Sequence, residues 1–140
     1  ARYCPMRRYI VASHGKMASG LVEGLSIIAG NFPNLSTINA YVDGHEYGDS
    51  YKKAKELIDK YPDDEFVIMT DLLGGSVNTE LMPLQSEKIH IVAGANLAIL
   101  LTMVTSSEDE KTKDLINRAI EEAKEGIVYC NTACAKDEDF

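Results

Sequence analysis

The sequence predicts an α/β fold: a doubly wound, open parallel sheet of strand order 2-1-3-4, flanked by helices. Two patterns carry this expectation. Short apolar runs alternate with stretches of helical periodicity along the chain. Residues 66–70, Phe-Val-Ile-Met-Thr, are apolar on both faces, as a central strand covered by helices on both sides must be. Strands that alternate with helices are joined by right-handed crossovers, and such crossovers make the sheet parallel.

The first strand is Tyr9-Ile10-Val11-Ala12-Ser13. A helix over 17–29 follows, with Leu21, Leu25 and Ile28 at helical spacing, and Gly30-Asn31-Phe32-Pro33-Asn34 breaks it. The second strand covers 36–42 and ends at Asp43-Gly44; the second helix covers 51–60 and stops at Tyr61-Pro62. After the third strand and a turn through Asp71 to Gly75, a third helix runs from 76 to about 84. Ile89-His90-Ile91-Val92 is the fourth strand, and 96–105 is helical. Residues 108–125 form a charged amphipathic helix with Leu115, Ile116, Ala119, Ile120 and Ala123 on one face, ended by Gly126. Residues 127–130, Ile-Val-Tyr-Cys, are expected as a short last strand at an edge of this sheet or of a neighbouring chain's.

A chain of 140 residues, 45% hydrophobic, fits one domain and is too short for a nucleotide-binding domain beside a separate substrate domain. Residues 1–5 read as a vector-derived scar before Met6, and 131–140 as an acidic tail expected to be disordered. The net charge of -8 repels nucleic acid and anionic membrane surfaces and suits a basic protein partner. No apolar run approaches the roughly 20 residues that span a bilayer, and the N-terminus lacks the apolar core of a secretion signal. With an odd set of cysteines, Cys4, Cys130 and Cys134, this reads as a cytoplasmic protein with reduced thiols. The Cys130/Cys134 spacing is not a usual zinc spacing and no second ligand pair accompanies it, so no metal is expected.

In open parallel sheets, ligands bind beyond the carboxyl ends of the strands where the strand order reverses. Here that point lies between strands one and three. Ser13-His14-Gly15 follows the first and Asp71-Leu72-Leu73-Gly74-Gly75-Ser76 the third, so the topology sets two chemically loaded loops side by side. A carboxylate that accepts the Nδ1 proton of a neutral imidazole leaves Nε2 as a free nucleophile. His14 and Asp71 are therefore the candidate catalytic pair. Gly74, Gly75 and Ser76, opening a helix, are the candidate phosphate cradle through backbone N–H groups and a hydroxyl. Together these parts point to phosphoryl transfer, with no cofactor.

Each part has a plainer reading. A histidine at a strand end is often structural, and the Asp71 loop alone could be a strand-to-helix turn with Ser76 as N-cap. His90, between Ile89 and Ile91, is expected to be structural; His45, in Asp43-Gly44-His45-Glu46, is left unassigned. A Gly-x4-Gly-Lys-Ser/Thr loop, GxGxxG after the first strand, HExxH and GxSxG are all missing. A flavin-binding module is disfavoured because Ser13-His14-Gly15-Lys16 is short and Trp is absent. A hydrolase that discharges phosphohistidine to water is the other competing class.

These residues resemble a known family. Ile10-Val11-Ala12-Ser13-His14-Gly15 followed by Ala18-x-Gly20-Leu21 looks like the opening of the mannose-type IIA components (EIIA-Man) of the bacterial phosphoenolpyruvate-dependent sugar phosphotransferase system. Asp71-Leu72-Leu73-Gly74-Gly75-Ser76 resembles that family's second motif, and Ala93-Gly94-Ala95-Asn96-Leu97 with Leu100 its third. The resemblance covers about residues 7–130 and marks 6–130 as a IIA phosphocarrier domain. It implies a phosphotransferase that accepts a phosphoryl group from phosphohistidine on the carrier HPr onto Nε2 of His14. The group would pass to a IIB component and, through membrane permease components, to an incoming sugar. It implies that Asp71 bonds the imidazole and that Ser76 and its glycines receive the phosphoryl oxygens. It implies a homodimer in which the last strand crosses to the second copy. The sequence departs from the family after the serine: where Pro is usual it has Val77, and Asn78 comes next. The alternative within the family's reach is a regulatory phospho-acceptor related to the phosphotransfer subunit of dihydroxyacetone kinases.

Overall fold

The structure, a computed structural model, describes residues 5–132. Four strands, β1 (Arg7–His14), β2 (Leu35–Ala40), β3 (Glu65–Thr70) and β4 (Ile89–Ala93), form one parallel sheet in the order β2-β1-β3-β4. The helices are α1 (Met17–Ala29), α2 (Asp49–Lys60), α3 (Ser76–Leu81), α4 (Leu97–Val104) and α5 (Thr112–Glu125), with a 3-10 turn at Met82–Leu84. The expected fold class and strand order are those observed.

The period of two along each strand sorts side chains onto two cores. Tyr9, Val11, Val67, Met69 and Val92 point to one face and pack against Leu25 of α1, Ile99, Leu100 and Met103 of α4, and Leu115 and Ala119 of α5. Ile10, Ala12, Phe66 and Ile68 point to the other and meet Ala54 of α2 and Val77 and Leu81 of α3. Every residue of β3 after Glu65 is buried, which is why its sequence shows no polar alternation. Burying each large side chain contributes about 1.5–3 kcal/mol, and these two layers fix the sheet from which the functional loops project.

Several boundaries differ from expectation by a residue or two, and three of the differences have a clear tertiary or backbone reason. β2 stops at Ala40 rather than 42, because Tyr41 and Asp43 adopt positive φ (63° and 54°) and turn the chain out of the sheet. The third helix tightens to a 3-10 turn after Leu81, where Pro83 lacks the N–H that an α-helix requires. α5 begins at Thr112 rather than 108. Arg7 at the start of β1 holds the preceding loop in a non-helical path: it donates to Ser106 Oγ (3.1 Å), Thr112 Oγ1 (3.1 Å) and the Glu110 carbonyl.

The expected last strand is corrected more fully. Residues 127–129 have no regular structure, and Cys130 lies in a helical turn that includes 131 and 132. Ile127, Val128 and Tyr129 stand exposed and pair with no strand among the described residues. Cys4, Cys134, the rest of the tail and most of the 1–5 segment lie outside the described residues. Among the described residues, no helix is long and apolar enough to cross a membrane.

His90 lies with Arg7, Glu65 and Thr112 in a cavity of about 540 Å³ at the amino end of the sheet, the end opposite His14. Its Nε2 is buried and has no hydrogen-bond partner among the described residues. Burial, with help from Lys113 and Arg7, lowers its pKa below the ordinary 6.5 against the opposing pull of Glu65. The folded chain therefore binds this proton less readily than the unfolded chain. Stability from neutral His90 is fully present above pH 6.5 and is lost as pH falls through the lowered folded value. Urea midpoints taken on either side of that pH should show a smaller acid-side loss for His90→Gln than for the parent chain.

Candidate functional site

β1 and β3 are neighbours in register, Ala12 beside Thr70, so His14 and Asp71 emerge together at the carboxyl edge although 57 positions separate them. One carboxylate oxygen, Asp71 Oδ2, accepts both the backbone N–H of His14 (2.8 Å) and its ring Nδ1–H (2.7 Å). The other oxygen, Oδ1, accepts the N–H of Leu72 (2.9 Å). Burial works to raise the Asp71 pKa, but the His14 backbone and ring donors outweigh it and hold the carboxyl below its ordinary value of 3.8. Asp71 is thus an anion that only accepts, so the proton of a neutral His14 sits on Nδ1. Nε2 then carries the lone pair and faces Ser76 Oγ at 3.1 Å. The imidazole is about half exposed (47%) while Asp71 is 10% exposed: an open ring on a sheltered anchor.

Local sequence explains why the loop holds this shape. Ser13, fully buried, accepts the N–H of Ala18 (2.7 Å) and donates to the Gly15 carbonyl (3.2 Å). It thereby does the work of an N-cap for α1, whose own N-cap residue, Lys16, makes no side-chain cap. Asn39 and Ser19 complete the same end with a reciprocal pair. In the third-motif loop, the N–H groups of Gly94 and Ala95 both reach the Thr70 carbonyl (2.9 Å each), which fixes the end of β3 one residue before Asp71.

The expected phosphate cradle is only partly available in that form. The Gly74 N–H goes to Asn78 Oδ1 (3.1 Å) and the Gly75 N–H to the Leu72 carbonyl (3.0 Å), so both glycine amides already have acceptors. The glycines contribute shape instead. Gly74 sits at φ 76°, and a Cβ on Gly75 would stand 3.2 Å from the Leu72 carbonyl and 3.7 Å from His14 Cε1. Ser76 is the first residue of α3, and Gly75, not Ser76, is its N-cap. The Ser76 hydroxyl is therefore not spent on capping and turns toward His14.

Two contributors were not foreseen. Tyr41 places its hydroxyl 2.8 Å from Ser76 Oγ and its ring centroid 5.4 Å from that of His14. Glu80, on α3 and buried, accepts the N–H of Gly48 (2.9 Å) and Tyr51 (2.7 Å), capping the start of α2. Glu80 does not stand out in the sequence, because Ser76, Asn78 and Thr79 of the same short helix are also polar, and Tyr41 carries no local signal either. His45 rests against Lys53 Nζ (3.2 Å).

A family model described as the PTS system fructose IIA component, EIIA-man, matches residues 8–120. The chain belongs to the EIIA-man family. Its members are components of the sugar phosphotransferase system. The chain is 25% identical over 108 residues to the sorbose-specific EIIA component of Klebsiella pneumoniae, covering 76% of this chain and 78% of that one. It is 23% identical over 125 residues to the fructose-specific EIIA component of Bacillus subtilis, covering 87% and 85%. Among solved structures, it superposes with a TM-score of 0.79 on the phosphotransferase system component EIIA from Streptococcus agalactiae, at 30% identity and with 91% and 99% of the two chains covered.

Against this EIIA-man background, Val77 and Asn78 after the motif serine have clear local roles. Val77 is fully buried in the α3-side core, and Asn78 is buried beneath the glycine turn. Asn78 Nδ2 donates to Thr70 Oγ1 (2.9 Å) while its Oδ1 holds the Gly74 N–H. It is a brace between the end of β3 and the loop carrying Asp71. Asn78→Ala strands both partners and should cost about 1–3 kcal/mol, read as a lower denaturation midpoint with an unchanged m-value.

Proposed function

We propose that this chain is a phosphoryl carrier: His14 accepts a phosphoryl group from phosphohistidine on HPr and passes it to a IIB component during sugar uptake. The observation that carries the reading is the paired geometry at His14, with Nδ1–H held by Asp71 at 2.7 Å and Nε2 facing Ser76 Oγ at 3.1 Å. The Nε2 lone pair attacks phosphorus. The P–N bond of the donor breaks, and its electron pair returns to the donor nitrogen. A donor imidazole protonated on its other ring nitrogen leaves as the neutral ring. The Nδ1 proton stays on His14, and the positive charge of the phosphorylated ring lies against the Asp71 carboxylate. Ser76, by its hydroxyl and its N–H at the head of α3, is the group best placed to receive phosphoryl oxygens.

A protein donor fits the surroundings better than a small molecule. His14 projects from the carboxyl end of β1, and exposed Leu72 and Leu73 stand on the neighbouring loop. The cavity of about 540 Å³ lies at the far end of the sheet, and Glu65, Glu87, Glu108, Asp109, Glu110 and Asp114 among its lining residues would repel a phosphoryl anion. The same proposal places the chain in the cytoplasm, beside the membrane permease components rather than within them, and takes 6–130 as the carrier unit. It includes a homodimer, because exposed Ile127, Val128 and Tyr129 suit exchange with a second copy.

Incubation with phosphoenolpyruvate, enzyme I and HPr should add about 80 Da, the mass of one phosphoryl group, as an acid-labile, base-stable adduct. His14→Ala should abolish the adduct and His90→Ala should retain it; label on His14→Ala protein refutes the assignment. Asp71→Asn should slow transfer roughly 10- to 100-fold, since the preferred tautomer loses its anionic acceptor. For the dimer, sedimentation of the chain shortened after Gly126 should give a monomer where the full chain gives a dimer.

A further inference from the structure

Tyr41 occupies an unfavourable backbone for a bulky residue. β2 ends at Ala40, opposite His14, and at Tyr41 the chain turns into the left-handed region at φ 63°. That turn brings the side chain back over the site. Its ring lies tilted 43° against His14, and its hydroxyl reaches Ser76 Oγ at 2.8 Å. Backbone strain of this kind persists where surrounding structure over-determines it, and it clusters at functional sites. Here the surrounding structure is explicit. The loop after Tyr41 is tied down where Glu80 accepts the Gly48 and Tyr51 N–H groups, and Glu80 lies one turn along α3 from Ser76.

The direction of each hydrogen bond follows from the anion at one end. Asp71 only accepts, so Nδ1 of the neutral ring donates to it and Nε2 can only accept. Ser76 Oγ must then donate to Nε2. Its lone pairs are left to accept, so the Tyr41 O–H donates to Ser76. The chain reads Tyr41 O–H to Ser76 O–H to Nε2. The Ser76 hydrogen therefore sits on the lone pair that must attack phosphorus and has to leave it for the reaction to proceed.

We propose that Tyr41 is a positioning residue for phosphoryl transfer: its hydroxyl fixes Ser76 Oγ, so that the Ser76 hydrogen can swing from Nε2 to a phosphoryl oxygen without movement of Oγ itself. The proposal rests on the carrier reading above. With Oγ anchored by Tyr41, the switch is a rotation about one C–O bond. Without that anchor, Ser76 samples its other rotamers and the site loses part of its preorganisation.

Tyr41→Phe removes the hydroxyl and keeps the ring. In the unphosphorylated protein, the ¹⁵N resonance of His14 Nε2 should move downfield, toward that of an imidazole nitrogen accepting no hydrogen bond, while Nδ1 still shows its proton. Ser76→Ala should produce the same movement, and Tyr41→Phe added to it should move the resonance no further. The saturated rate of phosphoryl uptake from phospho-HPr should fall about tenfold in Tyr41→Phe, the equivalent of one lost hydrogen bond, with half-saturation by the donor unchanged. An Nε2 resonance that stays in place in Tyr41→Phe overturns the proposal. So does an undiminished rate, or a rate loss of the same size when Ser76 is already Ala. A parent chain that takes up no label overturns the carrier reading instead, and the ring resonances separate the two failures because they need no phosphoryl group.

Discussion

One oxygen atom organises this site. Asp71 Oδ2 accepts from both the main chain and the ring of His14. The double contact fixes where the imidazole sits, which way it faces and which nitrogen bears the proton. It can do so only because β1 and β3 are adjacent and parallel, with Ala12 level with Thr70. The sheet core is therefore part of the site: a slip in register would move Asp71 away from His14 and exchange the side chains that fit the two cores. The continuous burial of β3 and the two-sided packing of β1 make that slip costly.

Around this contact the chain supplies rigidity from side-chain hydrogen bonds and leaves the His14 ring half exposed. Ser13, Asn39 and Asn78 satisfy loop and helix-end groups that would otherwise be unpaired next to the site. Gly15, Gly74 and Gly94 take left-handed backbone at the three loop turns, where a side chain would be strained. The result combines an exposed imidazole with a nearly buried anchor. That arrangement suits a group that must be met by one protein and then by another, because neither encounter requires a cleft to open.

Much of this was legible in the sequence, for identifiable reasons. α1 runs over the residues its periodicity marked, and the strand order followed from alternating elements. The topology then placed the His14 and Asp71 loops together without knowledge of any contact. What escaped depended on interactions between distant segments. Tyr41 and Val42 read as strand by propensity, and only the pull of the loop toward α3 turns Tyr41 out of the sheet. The delayed start of α5 depends on Arg7, which lies more than a hundred positions earlier. Residues 127–130 carry a strand pattern, but among the described residues they pair with neither edge strand, β2 or β4. The glycine amides looked free in sequence because the residues that occupy them, Asn78 and Leu72, are neighbours whose orientation no pattern encodes.

The Glu80 carboxylate has a mechanical consequence. It plugs the amino end of α2 while being carried on α3, so the loop that bears Tyr41 and the helix that bears Ser76 are bolted to one strut. A force on either must shift both or draw Glu80 from its socket, which strands the Gly48 and Tyr51 N–H groups. The spacing of the two hydroxyls beside His14 is thereby set by a buried carboxylate and not by the loop alone.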